Sequence, residues 1–145
     1  DHVPNHEAAH TSVGYPLALI SPPARNFLNS SFVNVESLQA TEGEPLLEMH
    51  QLDAAARGIA DGAVVRVYND RGTYQCRARL SVRARAGVVN GLGVWWRKLG
   101  LNGTNVNQLT SQKLTDLGHG PTFYDCLVQV ALLDTHTSLS QKSAP

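Results

Sequence analysis

Short apolar blocks separated by Gly, Pro, Asn and Asp dominate this chain. Leu17-Ala18-Leu19-Ile20 reads as a buried strand that stops at Ser21-Pro22-Pro23. Residues 26–34 are polar, interrupted by Phe27 and Leu28, and read as an irregular segment. Residues 45–50 predict a second strand. Residues 53–58 predict a short helix, with Asp53 as N-cap and Gly58 closing it in a left-handed conformation. After the Asp61-Gly62 turn, β-branched residues at 64, 65 and 67 mark a strand over 63–68. Asn69-Asp70-Arg71-Gly72 is a hairpin signal. The return strand over 73–82 alternates, with Tyr74, Cys76, Ala78 and Leu80 on one face and Gln75, Arg77, Arg79 and Ser81 on the other. Val88-Val89 begins another strand after Gly87, residues 93–96 are apolar and aromatic, and 99–120 form a long loop with room for a turn of helix. The last strand is expected over 122–133, with Leu127, Val128, Val130 and Leu132 apolar. Short strands with Gly-punctuated turns predict a mainly-β barrel with one or two short helices. Its body spans 14–133, between a flexible polar linker at 1–13 and a disordered tail at 134–145.

A chain of 145 residues is one domain's worth. Twelve Lys and Arg balance twelve Asp and Glu, so there is no electrostatic footprint for nucleic acid or an acidic membrane. No run approaches the roughly 18 apolar residues that span a bilayer. The polar start at Asp1 carries no secretory signal, and the missing initiator Met points to a piece excised from something longer. Cys76 and Cys126 sit in apolar, strand-like contexts without metal-site spacing and read as buried thiols. His2, His6 and His10 would align on a helix, but Pro4 favours a linker, and no metal site is expected. Gly91-Leu92-Gly93 lacks the third glycine and the following helix of a Rossmann turn. No clustered nucleophile and base is visible, so no catalytic residue is assigned.

The order of motifs resembles one family. His50-Gln51-Leu52-Asp53-Ala54-Ala55-Ala56-Arg57-Gly58-Ile59-Ala60-Asp61-Gly62 is similar to the H-P-x-D-A-x-x-R-G-I-x-D-G segment of molybdopterin dinucleotide-binding domains. Val65-Arg66-Val67-Tyr68-Asn69-Asp70-Arg71-Gly72 follows as expected. Residues 21–34, Gly87-Val88-Val89, Trp95-Trp96, Asn107-Gln108-Leu109-Thr110 and Pro121-Thr122-Phe123 fall in family order. Gln51 stands where Pro is usual, Ala63 where a second acidic residue is common, Asn29 where many relatives carry His, and Tyr124 where some have Lys. The resemblance implies a double-psi β-barrel from the C-terminal end of a formate dehydrogenase-, nitrate reductase- or dimethyl sulfoxide reductase-like enzyme. It implies molybdopterin guanine dinucleotide, in the bis form with Mo or W, as the cofactor of that parent. The parent's remaining domains are the expected partners. The fragment is expected to be monomeric, cytoplasmic (with a periplasmic parent as the alternative), and not catalytic in isolation.

Such a cofactor needs hydroxyls and amides for its pyrophosphate and fixed donors and acceptors for its pterin and guanine edges. The candidates are Ser21, Arg25, Asn29, Ser30, Ser31 and Asn34 in the loop after the first strand, Asn107 (with Thr110) in the long loop, and Tyr124. Ordinary turn chemistry also explains Ser and Asn in the first loop, an Asx-turn explains Asn107, and a half-buried strand aromatic explains Tyr124. One of Trp95 and Trp96 should be core and the other an interface residue, because neighbours on a strand face opposite ways. The family's most recognisable run, 50–72, reads as architectural. The alternative function is a ligand-free double-psi barrel serving as a docking or assembly module. A self-processing decarboxylase of this fold would need a Gly-Ser cleavage site, which the chain lacks.

Overall fold

The computed structural model describes Glu7 and residues 14–133. Apart from Glu7, the expected linker lies outside the described residues, as do the expected tail and the His2, His6, His10 spacing. Among the described residues the chain forms six strands, two short α-helices and three single 3-10 turns. The strands are β1 Leu17–Ile20, β2 Leu46–Met49, β3 Val64–Asn69, β4 Gly72–Leu80, β5 Val88–Gly91 and β6 Leu127–Leu132. The helices are α1 Glu36–Glu42 and α2 Gln51–Ala55. The 3-10 turns, Arg97–Leu99, Leu101–Gly103 and Val106–Gln108, lie in the loop before β6. No helix among these residues is long and apolar enough to cross a membrane.

The strands close into a barrel in the order β1-β5-β2-β4-β3-β6. Pairs β1–β5 and β2–β4 run parallel, and the other four are antiparallel. Exchanging the first three strands for the last three leaves this pairing unchanged: β1–β5 becomes β4–β2, and β4–β3 becomes β1–β6. The barrel thus has the two-fold pseudo-symmetry of two interlocked three-strand halves, the double-psi arrangement that the resemblance implies. Closure leaves no free sheet edge.

Period-two patterning builds the interior. Leu17 and Leu19, Leu47 and Met49, Val65 and Val67, Tyr74, Cys76 and Ala78, Val89, and Val128 and Val130 all point inward. Val106 and Leu109 from the long loop complete this core. Both cysteines are buried and free, and burial pushes the Cys76 thiol up to about 12, against a smaller opposing hydrogen bond from Tyr74.

Three elements differ from the sequence reading. Helix α2 begins earlier, and its cap is His50, whose Nδ1 accepts from Leu52 N at 3.1 Å. Asp53 therefore sits inside the first turn, where its carboxylate accepts from Gly87 N at 2.7 Å and ties the helix to the start of β5. The last strand starts at Leu127 rather than at 122, because Thr122 donates both its amide and its hydroxyl to Lys113 O and holds 122–126 as a turn. Helix α1 was not expected; it buries no residue and so shows no apolar stripe.

Candidate functional site

The most recognisable run, 50–72, is occupied with holding the barrel together. Arg57 donates to Asp53 O and to Gln129 Oε1 on β6. Gly58 adopts φ +64°, as its closing role requires, and Ile59 is buried in the core. Asp61 accepts from Leu80 N at 2.7 Å. In the hairpin, Asn69 Oδ1 accepts from Arg71 N, while its amide donates to Leu109 O and Leu127 O. Arg71 Nε donates to the same Leu109 carbonyl at 2.7 Å. These two side chains pin the long loop to the start of β6. Arg71 also forms an ion pair with Glu7, whose other oxygen accepts from Leu127 N at 2.7 Å. Partial burial raises the Glu7 carboxyl, but the Arg71 and Leu127 hydrogen bonds and nearby positive charge outweigh it and leave the group below its ordinary value.

The loop after β1 is built differently. It leaves the barrel and folds on a second core of Ala24, Phe27, Val33 and Trp95, against which Leu38, Trp96 and Leu99 pack. Phe27 and Trp95 meet edge to face with centroids 5.0 Å apart, an arrangement worth about 0.5–1.5 kcal/mol beyond the area it buries. Trp95 is thus the core member of the pair. Half-buried Trp96 donates from Nε1 to Ser30 O at 2.8 Å and carries Lys98 over its ring. Helix α1 braces the loop through Glu42 Oε1, which accepts from Asn26 N and Nδ2, and through Gln39 Nε2, which donates to Val33 O. Gly93 lets the next segment approach: its φ is +74°, its amide donates to Pro22 O, and an added Cβ would lie 2.9 Å from Ala24 Cβ. The tip of the loop is a tight turn in which Leu28 and Ser31 exchange backbone hydrogen bonds across Asn29 and Ser30, with Asn29 at φ +54°.

That turn, the end of β1, the 3-10 turn at Val106–Gln108 and the 122–126 turn meet around one cleft of about 330 Å³. Five of the eight expected site residues line it: Ser21, Asn29, Ser30, Asn107 and Tyr124. Thr110 joins them, with Pro23, Val94 and Phe123 as apolar wall. The Asx-turn expected of Asn107 belongs to Asn105, whose Oδ1 accepts from Asn107 N. Thr110 hydrogen-bonds back to Asn107 O. Tyr124 is half exposed and packs against Phe123, centroids 4.3 Å apart. Among the described residues, the side chains of Ser21, Asn29, Ser30, Asn107 and Tyr124 make no hydrogen bond to the protein. The cleft therefore gathers hydroxyl, carboxamide and phenol groups whose donors and acceptors are uncommitted.

The other three candidates lie elsewhere. Arg25 lines a second cleft of about 570 Å³ on the far side of Pro23, which borders both. Glu42, Glu44, Glu48 and Arg79 also line it; Glu48 pairs with Arg79, and Glu44 with Arg77. Ser31 and Asn34 are exposed and line neither cleft. The apolar wall and the second cleft had no signal in the sequence, because their members are brought together only by closure of the barrel and by α1. No group of three or more His, Cys, Asp or Glu side chains among the described residues is placed to hold a metal ion.

Residues 17–127 match the family described as "Molydopterin dinucleotide binding domain". The chain is 36% identical over 128 residues to the "Probable oxidoreductase YoaE" of Bacillus subtilis, covering 88% of this chain and 19% of that protein. It is 35% identical over 120 residues to the dimethyl sulfoxide reductase DmsA of Escherichia coli, covering 80% of this chain and 15% of that protein. Among solved structures, acetylene hydratase from Pelobacter acetylenicus shares the fold with a TM-score of 0.72 at 17% identity, over 82% of this chain and 18% of that one. The chain therefore spans about a fifth or less of the length of these proteins.

Proposed function

On the premise that this chain belongs to the molybdopterin dinucleotide-binding domain family, we propose that it is the cofactor-holding part of a larger molybdenum or tungsten oxidoreductase and that the Ser21–Asn107–Tyr124 cleft is where it holds the cofactor. The observation that carries this reading is the convergence, from four separate segments, of five polar side chains that have no hydrogen-bond partner among the described residues. Polar groups that fold together and stay uncommitted are what a ligand rich in donors and acceptors requires.

The residues present fit molybdopterin guanine dinucleotide. Ser21 and Ser30 supply hydroxyl donors suited to phosphate oxygens. Asn29 and Asn107 each offer donor and acceptor together, which matches the mixed edge of a pterin. Tyr124, packed at a tilt against Phe123, presents a phenol beside an apolar wall. Arg25 lines the neighbouring cleft, which shares Pro23 with this one, and is the cation offered to the pyrophosphate end. When bound, the cofactor supplies redox chemistry at its metal, and the protein's part is to bind and orient it. Each hydrogen bond adds about 0.5–1.5 kcal/mol net, so the grip depends on the set rather than on one residue. The metal's own protein ligand belongs to other parts of the larger enzyme, and this chain alone is expected to show no turnover.

Titration of the chain with molybdopterin guanine dinucleotide, followed by amide chemical shifts, tests the assignment. The expected result is a set of saturating shifts at Ser21, Asn29, Ser30, Asn107, Thr110 and Tyr124. Shifts confined to Trp96 and the chain ends, with the cleft silent, would favour a ligand-free docking module instead.

A further inference from the structure

The loop that carries Asn29 and Ser30 into the cleft makes three choices that are unfavourable for a chain standing alone. Leu28 is 64% exposed at one side of the turn. Phe32 is 53% exposed and held at φ +67°, a left-handed conformation that a bulky side chain rarely adopts. Val35 occupies the N-cap of α1, where it offers no side-chain acceptor to the free amides and is itself partly exposed. Asn29, also left-handed, is no anomaly, because Asn tolerates that region. Three apolar side chains are thus turned to solvent within eight residues, on a loop whose other members form the second core. Violations of local rules concentrated in one place mark a surface shaped for something outside the domain.

We propose that Leu28, Phe32 and Val35 form the docking face by which this barrel seats against an apolar surface of the remainder of the larger polypeptide. The proposal rests on the reading above that the chain is one part of such a protein. The relatives DmsA and YoaE carry some four-fifths or more of their length outside the matched region, ample chain to supply that surface. The loop then has two sides. Asn29 and Ser30 face the cofactor cleft, and the apolar residues flanking them are covered by the rest of the protein. On this proposal the left-handed conformation at Phe32 holds the side chain where the assembled protein covers it.

Hydrogen–deuterium exchange across 28–35, in the 145-residue chain and in the full-length protein, tests this. In the full-length protein these amides are expected to exchange at least about tenfold more slowly. Phe32→Gly is expected to raise the melting temperature of the 145-residue chain, because it relieves the left-handed backbone at the cost of a side chain that is more than half exposed, and to restore fast exchange at 28–35 in the full-length protein. Equal exchange in the two proteins, or a lowered melting temperature for Phe32→Gly, overturns the proposal. Protection that grows with the concentration of the 145-residue chain assigns the face to a second copy and overturns it too. Pterin content, read on the same full-length samples, keeps the two readings apart. Protection at 28–35 with no effect of cleft substitutions on pterin rejects the cofactor reading alone. Loss of pterin on cleft substitution, with 28–35 unprotected, rejects the docking face alone.

Discussion

The side chains that identify this chain and the side chains proposed to bind its ligand do different work. Asp53, Arg57, Asp61, Asn69 and Arg71 spend their hydrogen bonds inside the barrel, whereas the side chains of Ser21, Asn29, Ser30, Asn107 and Tyr124 make none among the described residues. The Glu7–Arg71 pair belongs to the first group, and its contribution is expected to depend on pH. The Glu7 carboxyl lies below its ordinary value of 4.5, because hydrogen bonds and positive charge overcome burial, so the charged form is favoured by folding. A depressed folded-state pKa contributes stability above the unfolded value and loses it as pH falls through the folded value. Glu7→Gln is therefore expected to cost about 1 kcal/mol near neutral pH, and the difference from the unaltered chain should fade below about pH 4.5. Urea unfolding of both proteins across pH 3–8 (roughly the window that linkage defines) measures it, and a difference that does not change with pH would contradict the assignment. Sequence patterning was least informative at this scale. His50 and Asp53 are three residues apart, both can accept from free amides, and only the position of Gly87 decides that Asp53 is used elsewhere.

Among the elements, strands were legible because each has one face in the core and one in solvent. Strand β4 shows this most plainly, with Tyr74, Cys76 and Ala78 buried between partly exposed neighbours. Helix α1 was not legible, since it attaches to the site loop through Glu42 and Gln39 hydrogen bonds rather than through an apolar stripe. The turn at 122–126 was read as strand because Thr, Phe and Tyr favour strands, a local preference overridden by the two bonds to Lys113 O. Gly93 is the element-scale hinge of the site, being the point where the segment carrying Trp95 meets the loop carrying Ser21 and Asn29. Gly93→Ala forces a Cβ to within 2.9 Å of Ala24 Cβ at a positive φ. It is expected to destabilise by about 2–4 kcal/mol, combining left-handed strain with overpacking. Denaturant unfolding monitored by tryptophan fluorescence would show it, and a cost under about 0.5 kcal/mol, the level of an unremarkable surface change, would mean that this approach does not hold the loop.

For the molecule as a whole, the barrel and the family could be read from the order of motifs, and the family match and the pseudo-symmetric closed topology bear both out. The candidate cleft was half legible: five of the eight residues expected from the sequence line it. The loop at 21–34 was marked by composition, but composition treats Ser30 and Ser31, or Asn29 and Asn34, alike; the fold separates them by sending the first of each pair into the cleft. That separation supplies the most direct test of the cofactor reading. Pterin bound per full-length protein should be measured at limiting cofactor for two double variants: Asn29→Ala with Asn107→Ala, and Ser31→Ala with Asn34→Ala. Removing the cleft pair deletes two sets of hydrogen bonds and is expected to weaken retention by about tenfold, while the second pair leaves it unchanged. Equal retention in the two double variants, or loss confined to the Ser31 and Asn34 pair, would contradict the account.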